Sequence, residues 1–280
     1  MGEWLPATIL PCDSMGIPIK SPEQIELCRL SSLLVEKTLA AVATFLKPGV
    51  TGLQVDNLVE GFIRDSGAVP SFKNYNGFPY SICFSVNEQV VHGFPGKTAI
   101  VDGDIVSVDV GVYQNGFHGD FAYTFAVGEV SSEILQLLRV TKKAAFLGVE
   151  KAVQGNRVGA ISQTVQQYAE SFGFGVVREL VGHGVGENLH EAPEVPNYGK
   201  KFSGPVLRNG MVLAIEPMIN LGKKEVNQLD DGWTIVARDG KPSAHFEHNV
   251  AVGINTYSLL SSYAEIETNI RKNSNLTFVD

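Results

Sequence analysis

Asp104-Ile-Val-Ser-Val-Asp-Val-Gly-Val-Tyr-Gln-Asn-Gly-Phe-His-Gly-Asp-Phe-Ala-Tyr-Thr-Phe-Ala-Val127 is a pair of apolar runs divided by Asn115-Gly116. Asn-Gly between such runs predicts a hairpin with a two-residue turn, because both turn positions need positive φ. That turn pairs Gln114 with Phe117, and the rest of the register follows: Asp109 opposite Ala122, Gly111 opposite Asp120. Opposite residues share a sheet face, as do residues two apart on one strand. Asp109 and Asp120 are therefore expected as diagonal neighbours on one side, roughly 7–8 Å apart or less. An isolated strand aspartate usually marks an edge or a turn. Here both lie in apolar strands, and burying two like charges uncompensated costs several kcal/mol each. Protonation, basic partners or a metal would relieve that cost. Neither strand carries Lys or Arg, and metal is the favoured reading.

Further candidate ligands lie downstream. Glu216 sits in Met211-Val-Leu-Ala-Ile-Glu-Pro-Met218, an acid inside an expected apolar strand, and Glu247 sits in His245-Phe-Glu-His-Asn-Val-Ala-Val252, near the start of another. His183 is framed as Gly182-His-Gly-Val-Gly186, where small neighbours let an imidazole approach a centre. A lone histidine of this kind is more often structural; beside four buried-looking carboxylates the balance reverses. Other motifs fail. Gly93-Phe-Pro-Gly-Lys-Thr98 imitates a phosphate loop, but Val91 occupies the place of its first Gly. No His-Glu-x-x-His helix and no Gly-x-Ser-x-Gly elbow occurs.

Ser21-Pro-Glu-Gln24 reads as a helix start with a capping box, and that helix should stop at Pro48-Gly49; Thr51 then opens a shorter one closed by Gly67. A similar pair recurs, from Ser131 or Ser132 to Gly155-Asn156 and on to Gly173. Each pair leads into strands, with more expected at Met211–Ile219, Thr234–Ala237 and Ala244–Val252, the last two joined around Asp239–Pro242. Helix pairs alternating with antiparallel hairpins give an α+β fold. The expected plan is an irregular lead-in over 1–16 and one catalytic domain over 17–262, with halves near 21–127 and 131–256. A peripheral tail over 263–280 completes it.

The 280 residues hold 22 basic and 30 acidic side chains, a net charge of −8, which argues against a generally basic nucleic-acid surface. No apolar run is long enough for a bilayer, and the start lacks a secretory pattern. Three scattered cysteines, Cys12, Cys28 and Cys83, fit a reducing cytosol. A cytoplasmic protein is expected.

Taken in order, several motifs resemble the methionine aminopeptidases, most closely the short bacterial type I form, over about residues 17–256. They are His92 before Gly-Phe-Pro, Asp109 in Val-Asp-Val-Gly, Asp120 in Gly-Phe-His-Gly-Asp, His183 in Gly-His-Gly-Val-Gly, Glu216 in Ile-Glu-Pro-Met and Glu247 in Phe-Glu-His. The resemblance implies the pita-bread fold, two pseudo-symmetric halves around a dinuclear metal site. It implies that Asp109 chelates one ion, that His183 and Glu216 bind the other, and that Asp120 and Glu247 bridge them. One imidazole among four carboxylates suits Mn(II), Fe(II) or Co(II), with Zn(II) also compatible. By the same resemblance a bridging hydroxide attacks the first peptide carbonyl, Glu216 relays a proton to the leaving amine, and His92 and His190 position the peptide and stabilise the tetrahedral intermediate. The methionine slot falls on Tyr75, Phe78, Cys83, Leu189 and Trp233, and a monovalent cation on Asn87 and Ser243. Leu189 and Phe72 depart from the Phe and Cys frequent at those positions, which bears on pocket shape.

The implied substrates are nascent peptides with N-terminal Met, met near the ribosome exit, although no basic extension supports docking there. The nearest rival is an Xaa-Pro aminopeptidase or prolidase of the same fold; those enzymes usually carry an extra N-terminal domain. A non-catalytic binding relative is expected to have lost ligands and gained basic surface, unlike this acidic chain.

Overall fold

The Asn115-Gly116 turn has φ of 53° and 87° at its two central residues, the positive values a tight turn of this kind needs. Ile105–Gln114 and Phe117–Val127 pair in the expected register, with Gln114 opposite Phe117, Asp109 opposite Ala122 and Gly111 opposite Asp120. The computed structural model describes Cys12 and residues 15–280, so most of the expected lead-in lies outside the described residues.

Local chemistry sets the helices. α1 (Pro22–Phe45) opens with a complete capping box: Ser21 Oγ accepts the Gln24 N–H, and Gln24 Oε1 accepts the Ser21 N–H. α2 (Gly52–Asp65) repeats this arrangement with Thr51 and Gln54. α3 (Ser132–Val149) is capped by Ser131 and ends earlier than Gly155-Asn156; beyond its end Val153 bridges Gly253. α4 (Val158–Glu170) completes the second pair.

The first helix pair lies against one five-stranded sheet, and the second lies against another together with the three-stranded sheet of Ser243–His245, Met218–Asn220 and Gly175–Val176. The first sheet runs Val69–Pro70, Ile105–Gln114, Phe117–Val127, Leu276–Thr277, with Ile82–Val86 also paired to Ile105–Gln114. The second runs Tyr257–Leu259, His248–Val252, Val212–Ile215, Val181–Gly184, Glu191–Pro196. A smaller sheet joins the halves, because Gln89–Val91 from the first pairs with Ile235–Ala237 from the second. The result is an α+β pita-bread architecture with its carboxylates facing the junction.

Two expected strands are broken. Met211–Ile219 is Val212–Ile215 plus Met218–Asn220, and Ala244–Val252 is Ser243–His245 plus His248–Val252. Pro217 has no N–H for a ladder bond, and in both cases the chain changes sheets at the break. Glu216 and Glu247 therefore sit at strand crossings, not inside strands. Nor do Thr234–Ala237 and Ala244–Val252 form a hairpin: Ile235–Ala237 pairs with Val226–Gln228, and Ser243–His245 pairs with Met218–Asn220. Asp239 Oδ2 accepts the Lys223 N–H at 2.8 Å, which turns the intervening loop away.

The tail over 263–280 is not peripheral. α5 (Ala264–Lys272) packs on α1, and Leu276–Thr277 extends the first sheet. Tyr263, Ile266, Ile270, Leu276 and Val279 are all buried. Ile266 and Ile270, four residues apart, make a narrow apolar stripe amid polar neighbours. The Tyr263 hydroxyl donates to Glu247 O at 2.6 Å, tying the tail to a candidate ligand. Each such side chain contributes about 1.5–3 kcal/mol on burial, so five rival the ~5–15 kcal/mol that holds a domain folded. Ending the chain after Ser262 is expected to abolish the cooperative thermal transition. A melting temperature within a few degrees of the full chain would contradict that packing.

Candidate metal centre

The hairpin brings Asp109 and Asp120 to the junction, the strand Val181–Gly184 brings His183, and the two strand breaks bring Glu216 and Glu247. Cross-half bonds hold this arrangement. The Glu247 N–H donates to Ala122 O at 3.1 Å, and Thr124 Oγ1 donates to His245 O at 2.6 Å. Asn249 Oδ1 accepts the Asp120 N–H at 2.9 Å and the Ser32 hydroxyl at 3.0 Å, linking α1 to both strands.

Ligand atoms of Asp109, Asp120 and Glu247 all lie within 4.8 Å of one another, as do those of His183, Glu216 and Glu247. The two groups share Glu247. A third combines Asp120 and His183 with His190. His183 Nε2 is 3.5 Å from Glu216 Oε1 and 3.9 Å from Asp120 Oδ2. Its Nδ1 donates to Gly184 O at 2.8 Å, which leaves an Nε2 lone pair facing the carboxylates, the tautomer a metal ligand requires.

Electrostatics point the same way. Burial pushes the Asp109 carboxyl up to about 6 and Glu216 up to about 8. Asp120 and Glu247 are raised well above the usual carboxylate range by burial and by the neighbouring acids. Burial lowers His183 to about 3 and His92 to about 4, so both are neutral imidazoles near pH 7. Asp109 Oδ1, Asp120 Oδ1 and Glu247 Oε1 are buried without a hydrogen-bond partner. Buried native polar atoms are nearly always satisfied. Orphaned, converging carboxylate oxygens with one unprotonated imidazole are a donor set that fits hard divalent cations.

A cavity of about 590 Å³ opens onto these groups. Its lining includes all five candidate ligands, His92, His190, and every residue expected in the methionine slot: Tyr75, Phe78, Cys83, Leu189 and Trp233. Phe72, Phe78, Cys83 and Leu189 form one buried apolar group. The Trp233 ring meets Phe78 edge-on, with centroids 5.1 Å apart. His92 has φ of 58°, a conformation non-glycine residues rarely adopt, found mainly where surrounding structure enforces it.

Asn87 and Ser243 lie outside that cavity's lining, joined by the Ser243 N–H to Asn87 O at 2.9 Å. The Asn87 amide is engaged by Asp104 Oδ1 and the Ile105 N–H. His248 is bonded to Ser261 and stacked on Tyr263, and His118 is bonded to Ser71. His245 stands beside a candidate ligand, its Nε2 3.7 Å from Glu216 Oε2. Its place two residues before Glu247 was the available signal. Asn197, which donates to Glu216 O at 2.9 Å, has no signal in the sequence.

Metallopeptidase family M24 matches the chain over residues 26–253. The methionine aminopeptidase of Clostridium perfringens is 51% identical over 236 residues, covering 84% of this chain and 95% of the relative. The crystal structure of methionine aminopeptidase from Thermotoga maritima superposes with a TM-score of 0.86 at 43% identity, covering 88% of this chain and 99% of that one. Prolidase from Pyrococcus furiosus, at 24% identity and a TM-score of 0.71 over 87% of this chain and 65% of that one, shares the fold alone. A carboxylate-lined junction, an apolar cavity beside it and relatives matched over nearly their whole length converge: the chain belongs to metallopeptidase family M24 and, within it, to the methionine aminopeptidases.

Proposed function

We propose that this cavity removes the N-terminal methionine of newly made polypeptides in the cytoplasm, using two divalent ions. Asp109 would hold one ion, His183 and Glu216 the other, with Asp120 and Glu247 shared. The observation that supports this best is the pair of three-residue groups meeting at Glu247 beside an apolar cavity. The oxygen-rich donor set favours Mn(II), Fe(II) or Co(II), with Zn(II) tolerated. When bound, such ions supply Lewis acidity at the peptide carbonyl and a water that loses its proton near neutral pH.

The chain's own residues do the rest. Tyr75, Phe78, Cys83, Leu189 and Trp233 enclose the substrate side chain, since thioethers pack well against rings and sulfur. Tyr75 Oη and His190 Nδ1 are hydrogen-bonded at 2.7 Å, and with Nδ1 as the acceptor the ring proton stands on Nε2. His190 is then a donor to the oxygen that gains negative charge. His92, neutral and fixed by its backbone, orients the scissile amide. Glu216 carries a proton from the attacking water to the departing amine.

A peptide panel tests the reading. With Met-Ala-Ser as reference, replacing Met by Leu or Ala is expected to lower kcat/KM at least ~10-fold and ~100-fold, the scale at which apolar pockets discriminate. Preferred cleavage before Pro in the second position, with no methionine preference, would overturn it.

A further inference from the structure

Between Val181–Gly184 and Glu191–Pro196 the chain forms a loop that ends on Leu189 and His190. His190 is exposed, and among the described residues its ring has one hydrogen-bonding side-chain partner, Tyr75. Its placement therefore depends on how firmly the loop is held. Behind the loop, immediately after His190, lies Glu191. Lys20 Nζ donates to Glu191 Oε2, and the two side chains are 1% and 3% exposed. The other oxygen, Glu191 Oε1, accepts the Asn188 N–H at 3.1 Å. One carboxylate thus grips the loop from within and ties it to the segment leading into α1. That segment is fixed in turn by the Lys20 N–H to Gly210 O at 2.8 Å.

Gly186 makes room for the pair. A Cβ there would stand 2.5 Å from Lys20 Cε and 2.8 Å from Glu191 Oε1. The same glycine's carbonyl accepts the His118 N–H at 2.8 Å, two residues before Asp120. The loop is therefore locked against both the segment leading into α1 and the carboxylate hairpin.

A buried ion pair is a poor source of stability, because desolvation offsets its attraction and an apolar pair of similar volume is often as stable or more so. Its advantage is geometric. We propose that the Lys20–Glu191 pair is a positioning device for His190, setting where its Nε2 meets the reacting carbonyl. This rests on the reading that His190 acts on the peptide.

The test replaces the pair together, since Lys20→Met alone would leave a buried carboxylate unpaired. Lys20→Met/Glu191→Met is made in the wild-type chain and in His190→Ala, loaded with Mn(II). Metal content, melting temperature, kcat and KM on Met-Ala-Ser are then measured. In the wild-type background, metal content should hold, the melting temperature should stay level or rise, and KM should change little. There kcat should fall roughly 10–100-fold, the cost of an ångström-scale misplacement. In the His190→Ala background the same change should lower kcat less than ~2-fold, because the group being positioned is gone. An equal loss in both backgrounds, or unaltered kcat in the wild-type background, overturns the proposal. His190→Ala with wild-type kcat removes the reading beneath it as well. If the double variant does not fold, Glu191→Gln carries the same comparison, with kcat down at least ~3-fold only where His190 is present.

Discussion

Chelator-stripped protein is expected to turn over Met-Ala-Ser at less than about a thousandth of the replete rate, with Mn(II), Fe(II) or Co(II) restoring it. Without a Lewis acid, nothing else in the cavity generates a strong nucleophile at neutral pH. The same experiment carries a stability signature. In the stripped state Asp109 titrates near 6 and Glu216 near 8, while Asp120 and Glu247 are also raised. These folded-state values lie above the unfolded ones of about 4. The folded protein therefore binds extra protons between about pH 4 and 8, and loses their stabilisation as pH rises through that window. Bound cations reverse the situation, since they prefer the ionised carboxylates and stabilise only the folded chain. The gap in melting temperature between replete and stripped protein should widen from pH 5 to pH 8. Turnover that survives stripping, or a gap that narrows with pH, would contradict the metal reading.

The second large effect concerns Glu247, the group common to both sets of converging ligand atoms. Glu247→Gln keeps the shape and removes the charge. Metal content is expected to fall for both ions, and kcat/KM by at least ~10³-fold, because a neutral amide is a far weaker bridge. Stability should move the opposite way. Glu247 Oε1 is buried and unpartnered among like charges, so stripped Glu247→Gln should melt above stripped wild type, most clearly near pH 8. A variant that loses activity by misfolding would melt lower instead. Asp109→Asn, outside the second set, should spare more of the metal than Glu247→Gln does.

What could be read ahead of the structure followed from how local each signal is. The hairpin register was legible because Asn115-Gly116 permits one tight turn, and a strand's two-residue period then places every side chain. The helix starts were legible because Ser21, Thr51 and Ser131 cap within four residues. The breaks at Glu216 and Glu247 were not, although Pro217 directly follows the first, because changing sheets is a tertiary event. The buried tail was hidden by its composition: polar residues surround Ile266 and Ile270, and only packing on α1 shows the stripe. Lys20 and Glu191, far apart in sequence, carried no signal at all. The proposed methionine slot rests on resemblance, since aromatic and aliphatic side chains read equally well as core.

The central claim is that Asp109, Asp120, His183, Glu216 and Glu247 together hold paired ions beside the methionine slot. Anomalous diffraction from crystals of the protein loaded with Mn(II), collected above the manganese edge, tests this most directly. The expected map has two peaks about 3.5–4 Å apart, each within about 2.0–2.3 Å of oxygen or nitrogen atoms from these five residues, with Asp120 and Glu247 touching both. A fully loaded crystal with peaks elsewhere, or with Glu247 touching no metal, would contradict it.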